Sequence, residues 1–370
     1  MTHTRLAILG ATGSIGRQAL EVVAAHRDKL RVVALAAGRD DDALGALARE
    51  SGAEATAVHA RDGDDALCDM ATRADVDLVL VATPGIAGLR PTIAALEAGK
   101  RVALANKEVL VTGGHILARL AGGAGERLRP VDSEHCALWQ CLVGEDIANV
   151  RRVLLTASGG PFRERPIASL ASVTAGDALK HPTWKMGPKV TIDSATLANK
   201  GYEVIETRWL YGLPYEKIEI VVHPESVVHA LVEFVDGSVK AQLAEPDMRL
   251  PIQYALLWGH APSPARTIDW STARTLRFTG APDLERYPAL AAVLDVARSA
   301  SQGAAIGLSA ADEIAVERFL RAEIGFTEIA PLLRRGAALG AKAGDAASVS
   351  EISAIDRSVR EALAAEPAIR

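Results

Sequence analysis

Three evenly spaced glycines, Gly10-x-x-Gly13-x-x-Gly16, follow the apolar run Arg5-Leu6-Ala7-Ile8-Leu9 and open a helical pattern from Arg17 to Ala25. The spacing is wider than the usual G-x-G-x-x-G. It still leaves backbone N–H groups at a helix N-terminus, where a pyrophosphate can sit. A glycine turn carries weight only in a strand–turn–helix context, and a second strand, Arg31 to Leu35, supplies it. The alternation continues through a helix from Leu44 to Glu50, a strand from Ala55 to Val58, and a buried strand from Asp77 to Ala82. The turn Thr83-Pro84-Gly85 follows, then a helix from Leu89 to Ala98 and a strand from Arg101 to Ala105. Strands alternating with helices predict a parallel, doubly wound sheet.

Such sheets bind ligands beyond the carboxyl ends of their strands. After the second strand stand Gly38 and Arg39, where a dinucleotide enzyme selective for NAD carries an acid; arginine there favours a 2′-phosphate. Asp40, Asp41 and Asp42 follow and suit a helix start. The last strand runs into Asn106-Lys107-Glu108, which places Lys107 on the ligand edge. An exposed lysine at a helix start is the plainer reading of that residue.

The chain has 370 residues, 49% of them apolar and 24% charged, enough for two or three domains. A net charge of −5 argues against a general nucleic-acid binder. The longest uncharged run, Leu78 to Leu89, is too short to span a bilayer and holds Pro84 and two glycines. The first strand begins so early that no targeting segment is expected, and three unpaired cysteines predict a reducing, cytoplasmic setting.

Beyond Arg129-Pro130 the residues change character. In Val131-Asp132-Ser133-Glu134-His135, a strand would turn Asp132 and Glu134 to one side. Two adjacent carboxylates call for a proton or a hard cation such as magnesium or manganese. The alternative is an acidic turn capping a helix from His135 to Leu142. After the strand Val153 to Ala157, the loop Ser158-Gly159-Gly160-Pro161 can cradle an anion or simply turn.

The densest stretch runs from His181 to Glu206. Its first half, with His181, Trp184, Met186, Gly187 and Lys189 among two prolines, reads as a loop. Its second half reads as a helix with Asp193, Ser194 and Thr196 as candidate caps, and Lys200 and Glu203 on one face at i, i+3. Hydroxyls, a helix start, a lysine and a carboxylate together suit a phosphorylated substrate and a metal. A capped surface helix with an ordinary ion pair is the competing reading.

A strand from Lys217 to Val222 leads to His223-Pro224-Glu225-Ser226. A hairpin from Val227 to Val235 and Ser238 to Leu243, turning at Asp236-Gly237, marks a second domain of α+β type. Residues from Trp258 to Pro282 read as a linker. Helices follow at Ala289–Ser299, Ser309–Arg321, Phe326–Gly336 and Ser348–Ala365, with Glu313 expected on a solvated face. Cys136 and Cys141 read as core thiols.

Taken in order, Gly10 to Gly16, Ala105 to Glu108, Val131 to His135, Thr156 to Phe162, His181 to Glu206, His223 to Ser226 and Glu245 to Met248 resemble the 1-deoxy-D-xylulose 5-phosphate reductoisomerase family over the whole chain. The resemblance implies an α/β protein divided as follows. Residues 1–129 form a Rossmann-like, doubly wound NADPH-binding domain and 130–257 an α+β catalytic domain with a flap. Residues 258–283 are a linker, and 284–370 a C-terminal helical bundle.

It further implies a homodimer that uses NADPH and a divalent cation (Mg, Mn or Co) on a small phosphorylated substrate, with no nucleic-acid or membrane partner. The ketose phosphate is rearranged by carbon–carbon cleavage and re-addition, then reduced to 2-C-methyl-D-erythritol 4-phosphate, in non-mevalonate isoprenoid synthesis. The phosphonohydroxamate fosmidomycin inhibits the family.

Carried over by position, the resemblance assigns Asp132, Glu134 and Glu203 to the metal, and Lys107 and Ser133 to the substrate's oxygenated backbone. Ser158, Ser194, Asn199 and Lys200 fall to the phosphate, with His181 in the same pocket. Trp184 and Met186 fall in the flap. Thr12, Gly13, Ser14, Ile15, Gly38 and Arg39 match dinucleotide contacts, joined by Asn106, Glu108, Gly187 and Met248. His223 matches a conspicuous family histidine whose role stays open. Ala11, Ala198 and Ala244 replace a usual serine, methionine and glycine, and none of these removes a ligand.

Two other functions compete. An aldehyde dehydrogenase of the aspartate-semialdehyde type would use Cys136 as nucleophile, without metal. An NADP-sensing module would bind the dinucleotide without turnover.

Overall fold

The computed structural model describes residues 3–184 and 186–365. Six strands form the first sheet: β1 (Thr4–Leu9), β2 (Leu30–Ala37), β3 (Ala55–Val58), β4 (Leu78–Val81), β5 (Arg101–Leu104) and β6 (Leu128–Pro130). All pairs are parallel, in the order β3-β2-β1-β4-β5-β6. Helices α1 (Ser14–Ala25), α2 (Asp41–Ser51), α3 (His59–Thr72), α4 (Leu89–Glu97) and α5 (Lys107–Ala121) make the crossovers. Leu6, Ala7, Ile8 and Leu9 have no exposed surface, as expected for a parallel strand covered on both faces.

The glycine turn is built as its spacing demands. Gly10 sits at φ +93°, and a side chain on it would run into the Ala82 carbonyl beyond β4. A side chain on Gly16 would collide with the Gly10 carbonyl, so this glycine lets α1 pack close against the turn. The helix α3 is absent from the pattern reading above. Its only buried residues are Leu67 and Ala71, and Gly63 breaks its helical dihedrals, so it shows little apolar period.

The second sheet has the order β10-β9-β7-β8, with β7 (Val150–Ala157), β8 (Ile218–Val222), β9 (Val228–Phe234) and β10 (Val239–Leu243). It is mixed: β7 pairs parallel with β8 and antiparallel with β9. The helices α6 (Ser133–Leu142) and α9 (Ala198–Tyr211) pack against it; α7 (Ala175–Ala178) and α8 (Pro188–Thr196) come between β7 and α9 in the chain, and α10 (Arg249–Leu257) follows β10. The face of α6 bearing Ala137, Leu138 and Cys141 packs on Val153, Leu155, Ala230 and Val232.

Two local expectations are corrected. Residues 131–135 are not a strand: β6 ends at Pro130, Asp132 is the residue before α6, and Glu134 lies in its first turn. The helix after Met186 starts earlier than its hydroxyls suggested, because Pro188 takes the first helical position, where it lacks no needed N–H. Asp193, Ser194 and Thr196 therefore belong to the end of α8. Leu197, at φ +56°, breaks the chain there before α9 begins.

Residues 258–283 are irregular. The chain then closes with α11 (Pro288–Ser299), α12 (Gln302–Leu320), α13 (Ile329–Ala343) and α14 (Val349–Ala365). These helices share one continuous core with α4, α5 and α9. Glu313 is not on a solvated face. It pairs with Arg360 at 3.0 Å, and its neighbour Asp312 is wholly buried. The helix α10 returns across the molecule: Ile252, Ala255 and Leu256 join Leu6, Ile8, Ala19 and Val22 in the core on the other face of the first sheet. No helix among the described residues is long and apolar enough to cross a membrane.

Candidate active site

One cavity lies between the carboxyl edge of the first sheet and the second sheet. It is lined by Ser14 and Ile15 of α1, Lys107 of α5, the Asp132–Glu134 turn, Ser158, then His181, Trp184, Met186, Gly187, Val190 and Ser194, and Asn199, Lys200 and Glu203 of α9. His229 of β9 and Met248 before α10 complete it. Residues far apart in the chain meet here because strand ends, helix starts and the Leu197 break all face one space.

At its floor stand three carboxylates. Ligand oxygens of Asp132, Glu134 and Glu203 all lie within 4.8 Å of one another. Lys107 touches Asp132 and sits 3.6 Å from both Glu203 and Glu206, while Lys200 touches Glu203 and lies 3.0 Å from Glu134. Asn199 donates to Glu203 at 2.6 Å. Burial alone would raise the Asp132 carboxyl, but Lys107 and His135 outweigh it and hold Asp132 well below the usual carboxylate range. Glu203 goes the other way: burial, and then repulsion from Glu134, push it up to about 7.

This donor set fits a hard divalent cation. Three oxygen donors converge, and the two ammonium groups supply the positive charge that the carboxylates otherwise lack. Next to it, Asp132, His135 and Glu206 form a second convergent set. Burial disfavours charge on His135, yet Glu206 and Asp132 raise it to about 9. Its Nε2 faces the Glu203 carbonyl at 3.0 Å and Thr207 Oγ1 at 3.1 Å, so the ring ties Asp132 to α9.

The other half of the cavity is a hydroxyl cradle. His181 Nε2 lies 3.2 Å from Ser158 Oγ and 3.1 Å from Ser194 Oγ. Its Nδ1 accepts the N–H groups of Trp184 at 2.9 Å and Thr183 at 3.2 Å, so the proton of the neutral ring belongs on Nε2, facing the serines. Burial lowers His181 to about 4. Ser158 Oγ also accepts from Gly160 N–H at 3.1 Å, which fixes that loop.

At the dinucleotide end, Gly13 heads α1 with no side chain capping the first turn, which leaves those N–H groups for a phosphate. Thr12 is partly exposed beside it, and Gly13, Ser14, Gly38 and Arg39 are exposed along the same sheet edge. Ser14, Ile15, Gly187 and Met248 reach the cavity. The side chains of Asn106 and Glu108 do not. Asn106 caps α5 and donates to the Gly85 carbonyl at 2.7 Å, and Glu108 accepts from Lys189 at 2.8 Å.

Lys107, Asp132, Ser133, Glu134, Ser158, His181, Trp184, Ser194, Asn199, Lys200 and Glu203 all line the cavity. His223 does not. Its Nε2 accepts from the N–H groups of Val227 and Val228 at 3.2 Å, its Nδ1 donates to the Arg277 carbonyl at 2.8 Å, and its ring stacks on Phe278. It pins the irregular segment to the second sheet. The histidine that joins His181 in the cavity is instead His229, whose ring centroid lies 5.9 Å from that of Trp184. Sequence reasoning missed His229, His135 and Glu206. The period-2 pattern of Val228–Phe234 placed His229 on a strand but offered no sign of which face met the cavity.

Cys136 is no nucleophile: it is buried, and burial pushes its thiol up to about 12. This removes the chemistry of the dehydrogenase alternative.

The comparisons agree over the full length. Profiles described as 1-deoxy-D-xylulose 5-phosphate reductoisomerase match residues 6–62 and 39–114. The reductoisomerase C-terminal domain profile matches 128–211, and the DXP reductoisomerase C-terminal domain profile 243–362. The 1-deoxy-D-xylulose 5-phosphate reductoisomerase of Thermomicrobium roseum is 48% identical, covering 96% of this chain and 95% of its own. That of Ralstonia nicotianae is 44% identical, covering 96% of each.

Among solved structures, a DOX-P reductoisomerase in complex with NADPH, fosmidomycin and magnesium superposes with a TM-score of 0.87 at 35% identity, covering 98% of each chain. The Zymomonas mobilis enzyme in complex with NADPH gives 0.84 at 38%, covering 98% of this chain and 99% of its own. With identities this high over nearly all of its length, and with the converging carboxylates in place, this chain belongs to the 1-deoxy-D-xylulose 5-phosphate reductoisomerase family.

Proposed function

We propose that this cavity converts 1-deoxy-D-xylulose 5-phosphate to 2-C-methyl-D-erythritol 4-phosphate with NADPH and a divalent cation, in non-mevalonate isoprenoid synthesis. The observation that carries the assignment is the convergence of Asp132, Glu134 and Glu203 beside a hydroxyl cradle, at the carboxyl edge of a dinucleotide-type sheet. Asp132, Glu134 and Glu203 would hold the cation, which when bound supplies Lewis acidity toward vicinal substrate oxygens.

Ser158, Ser194, Asn199 and Lys200 would receive the phosphate, with His181 donating from Nε2 as a neutral group. A remote phosphate held this way contributes binding energy that orients the reacting carbons. Lys107 and Ser133 would meet the substrate hydroxyls and carbonyl, where an ammonium stabilises negative charge that develops as the skeleton rearranges. Trp184 and Met186 would cover the substrate and exclude water. Thr12 to Ile15 would hold NADPH, with Gly38 and Arg39 toward its 2′-phosphate, and the bound cofactor would supply the hydride.

The division into residues 1–129, 130–257, 258–283 and 284–370 belongs to the same proposal, supported by the two separate sheets and the irregular segment between them and the last four helices. So does a homodimer, for which the open edge strand β10, with exposed Val239 on it and exposed Val235 in the turn before it, offers a surface. Three free cysteines support a cytoplasmic setting.

The test is the loss of reduced-nicotinamide absorbance with 1-deoxy-D-xylulose 5-phosphate, with and without EDTA. Chelator-sensitive oxidation yielding the branched methylerythritol phosphate is expected. Dinucleotide binding without turnover, with metal present, would instead favour the sensing module, and turnover indifferent to EDTA would remove the cation from the proposal.

A further inference from the structure

Behind the cavity lies a second charge cluster that the chemistry above does not use. Lys189, in the first turn of α8, reaches three carboxylates from three helices: Glu108 of α5 at 2.8 Å, Asp193 of α8 at 2.8 Å and Asp312 of α12 at 2.7 Å. Its ammonium also sits 5.0 Å from the Tyr202 ring centroid. The partners are deeply buried, with side-chain exposures of 10%, 2% and 1% respectively. Asp193 Oδ1 has no hydrogen-bond partner. So many buried carboxylates round one half-buried ammonium is a costly arrangement, and it holds together only while that ammonium stays in place.

None of the four lines the active cavity, yet Lys189, Asp193 and Glu108 each stand within two residues of one that does. Gly187 and Val190 flank Lys189, Ser194 follows Asp193, and Lys107 precedes Glu108. The stretch from His181 to Met186 enters α8 only a few residues before the lysine. At Lys189 Nζ, therefore, the base of the covering segment, the helix carrying Lys107 and the C-terminal bundle meet.

We propose that Lys189 is a positioning residue for the reaction. By drawing Glu108, Asp193 and Asp312 onto one ammonium, it fixes the start of α8, and with it Ser194 and the covering segment, against the α5 turn that presents Lys107. The proposal rests on the function assigned above. Wild-type protein that fails to turn over 1-deoxy-D-xylulose 5-phosphate would refute that assignment, whereas a silent Lys189 variant in an active protein would refute only this one.

The experiment compares wild type with Lys189→Met, Lys189→Arg and the double variant Lys189→Met/Asp312→Asn. The double variant removes one of the carboxylates that Lys189→Met strands, and so keeps the test available if the single variant does not fold. For protein shown to be folded by its circular dichroism and melting transition, kcat and KM are measured for both substrates. Loss of the ammonium is expected to lower kcat/KM for the sugar phosphate at least about tenfold, through both kcat and KM, because small misplacements of reacting groups are costly. KM for NADPH should change less than KM for the sugar phosphate, since of the dinucleotide contacts only Gly187 and Glu108 adjoin the cluster and the α1 turn does not. Arginine should restore most of the loss. Folded variants with unchanged kcat and KM, or an arginine variant no better than methionine, would overturn the proposal.

Discussion

His181 shows how neighbouring backbone sets the chemistry of a side chain. Two N–H groups point at Nδ1, which leaves Nε2 to carry the proton toward Ser158 and Ser194. Burial lowers the ring from 6.5 to about 4, so at neutral pH it is an uncharged donor. The sign of the linkage follows: below pH 6.5 the unfolded chain takes up a proton that the native chain refuses until about pH 4, so native stability falls across that window. A His181→Gln variant lacks this term. Its melting temperature should therefore gain on that of wild type as the pH is lowered through the window, and a difference that stays constant would show that His181 is not held neutral. Residue types and order made the cavity's composition legible in the sequence: the carboxylates, the serines and both lysines sit in motifs that resemble the family. The histidines were harder. His223 and His229 are close in sequence, and only the three-dimensional path of β9 shows that one is a structural acceptor and the other faces the cavity.

At the scale of elements, the cavity is assembled from helix beginnings. Asp132 precedes α6, Asn106 caps α5, Gly13 heads α1, and Leu197 joins α8 to α9. Strands and helices were readable in β1, β4, α11 and α14, whereas α12 begins at Gln302 rather than Ser309 and α13 runs on to Ala343 rather than Gly336. The pattern failed at α3, which buries too little to show a period, and at residues 131–135, where a cap and a first turn place two acids on one side as a strand would. Asn106 makes the cost of such a cap measurable. Its Oδ1 accepts from Val109 N–H at 2.9 Å, and its Nδ2 serves the Thr83 and Gly85 carbonyls of the turn after β4. Asn106→Ala would orphan all three groups in a buried place, so a stability loss of about 2 kcal/mol is expected. The adjacent Lys107 should shift with the helix start and lower kcat. Chemical denaturation checks the first effect and steady-state rates the second, and a variant as stable as wild type would mean the turn is held by other contacts.

Over the whole molecule, alternation was enough to foresee a parallel sheet, but not that α10 crosses back to cover it. That return is encoded by contacts between distant parts of the chain, which no local period reports. Arg129, almost fully buried in the middle of β6, secures it. It donates to the Ala255 carbonyl at 2.9 Å and the Glu126 carbonyl at 3.1 Å, and its guanidinium lies 4.6 Å from the Trp258 ring centroid. Burial lowers it to about 10, which still leaves it charged at neutral pH, where it complements the carbonyl end of α10. Earlier in the same helix, Arg249 reaches Glu21 of α1 at 3.2 Å and Gln253 meets His26, which caps α1, at 3.1 Å, so α10 is held to α1 as well. Met248, at the start of α10, lines the cavity with Ser14 and Ile15. Replacing Arg129 by methionine keeps much of the volume but leaves the helix end unpartnered. The expected cost is about 2–3 kcal/mol in urea unfolding, as for lost charge-assisted hydrogen bonds. Because Met248 is carried by the loosened helix, KM for NADPH should rise about threefold while kcat at saturating cofactor is nearly kept. A destabilised protein with unchanged cofactor KM would show that α10 stabilises the fold without setting the nicotinamide end of the site.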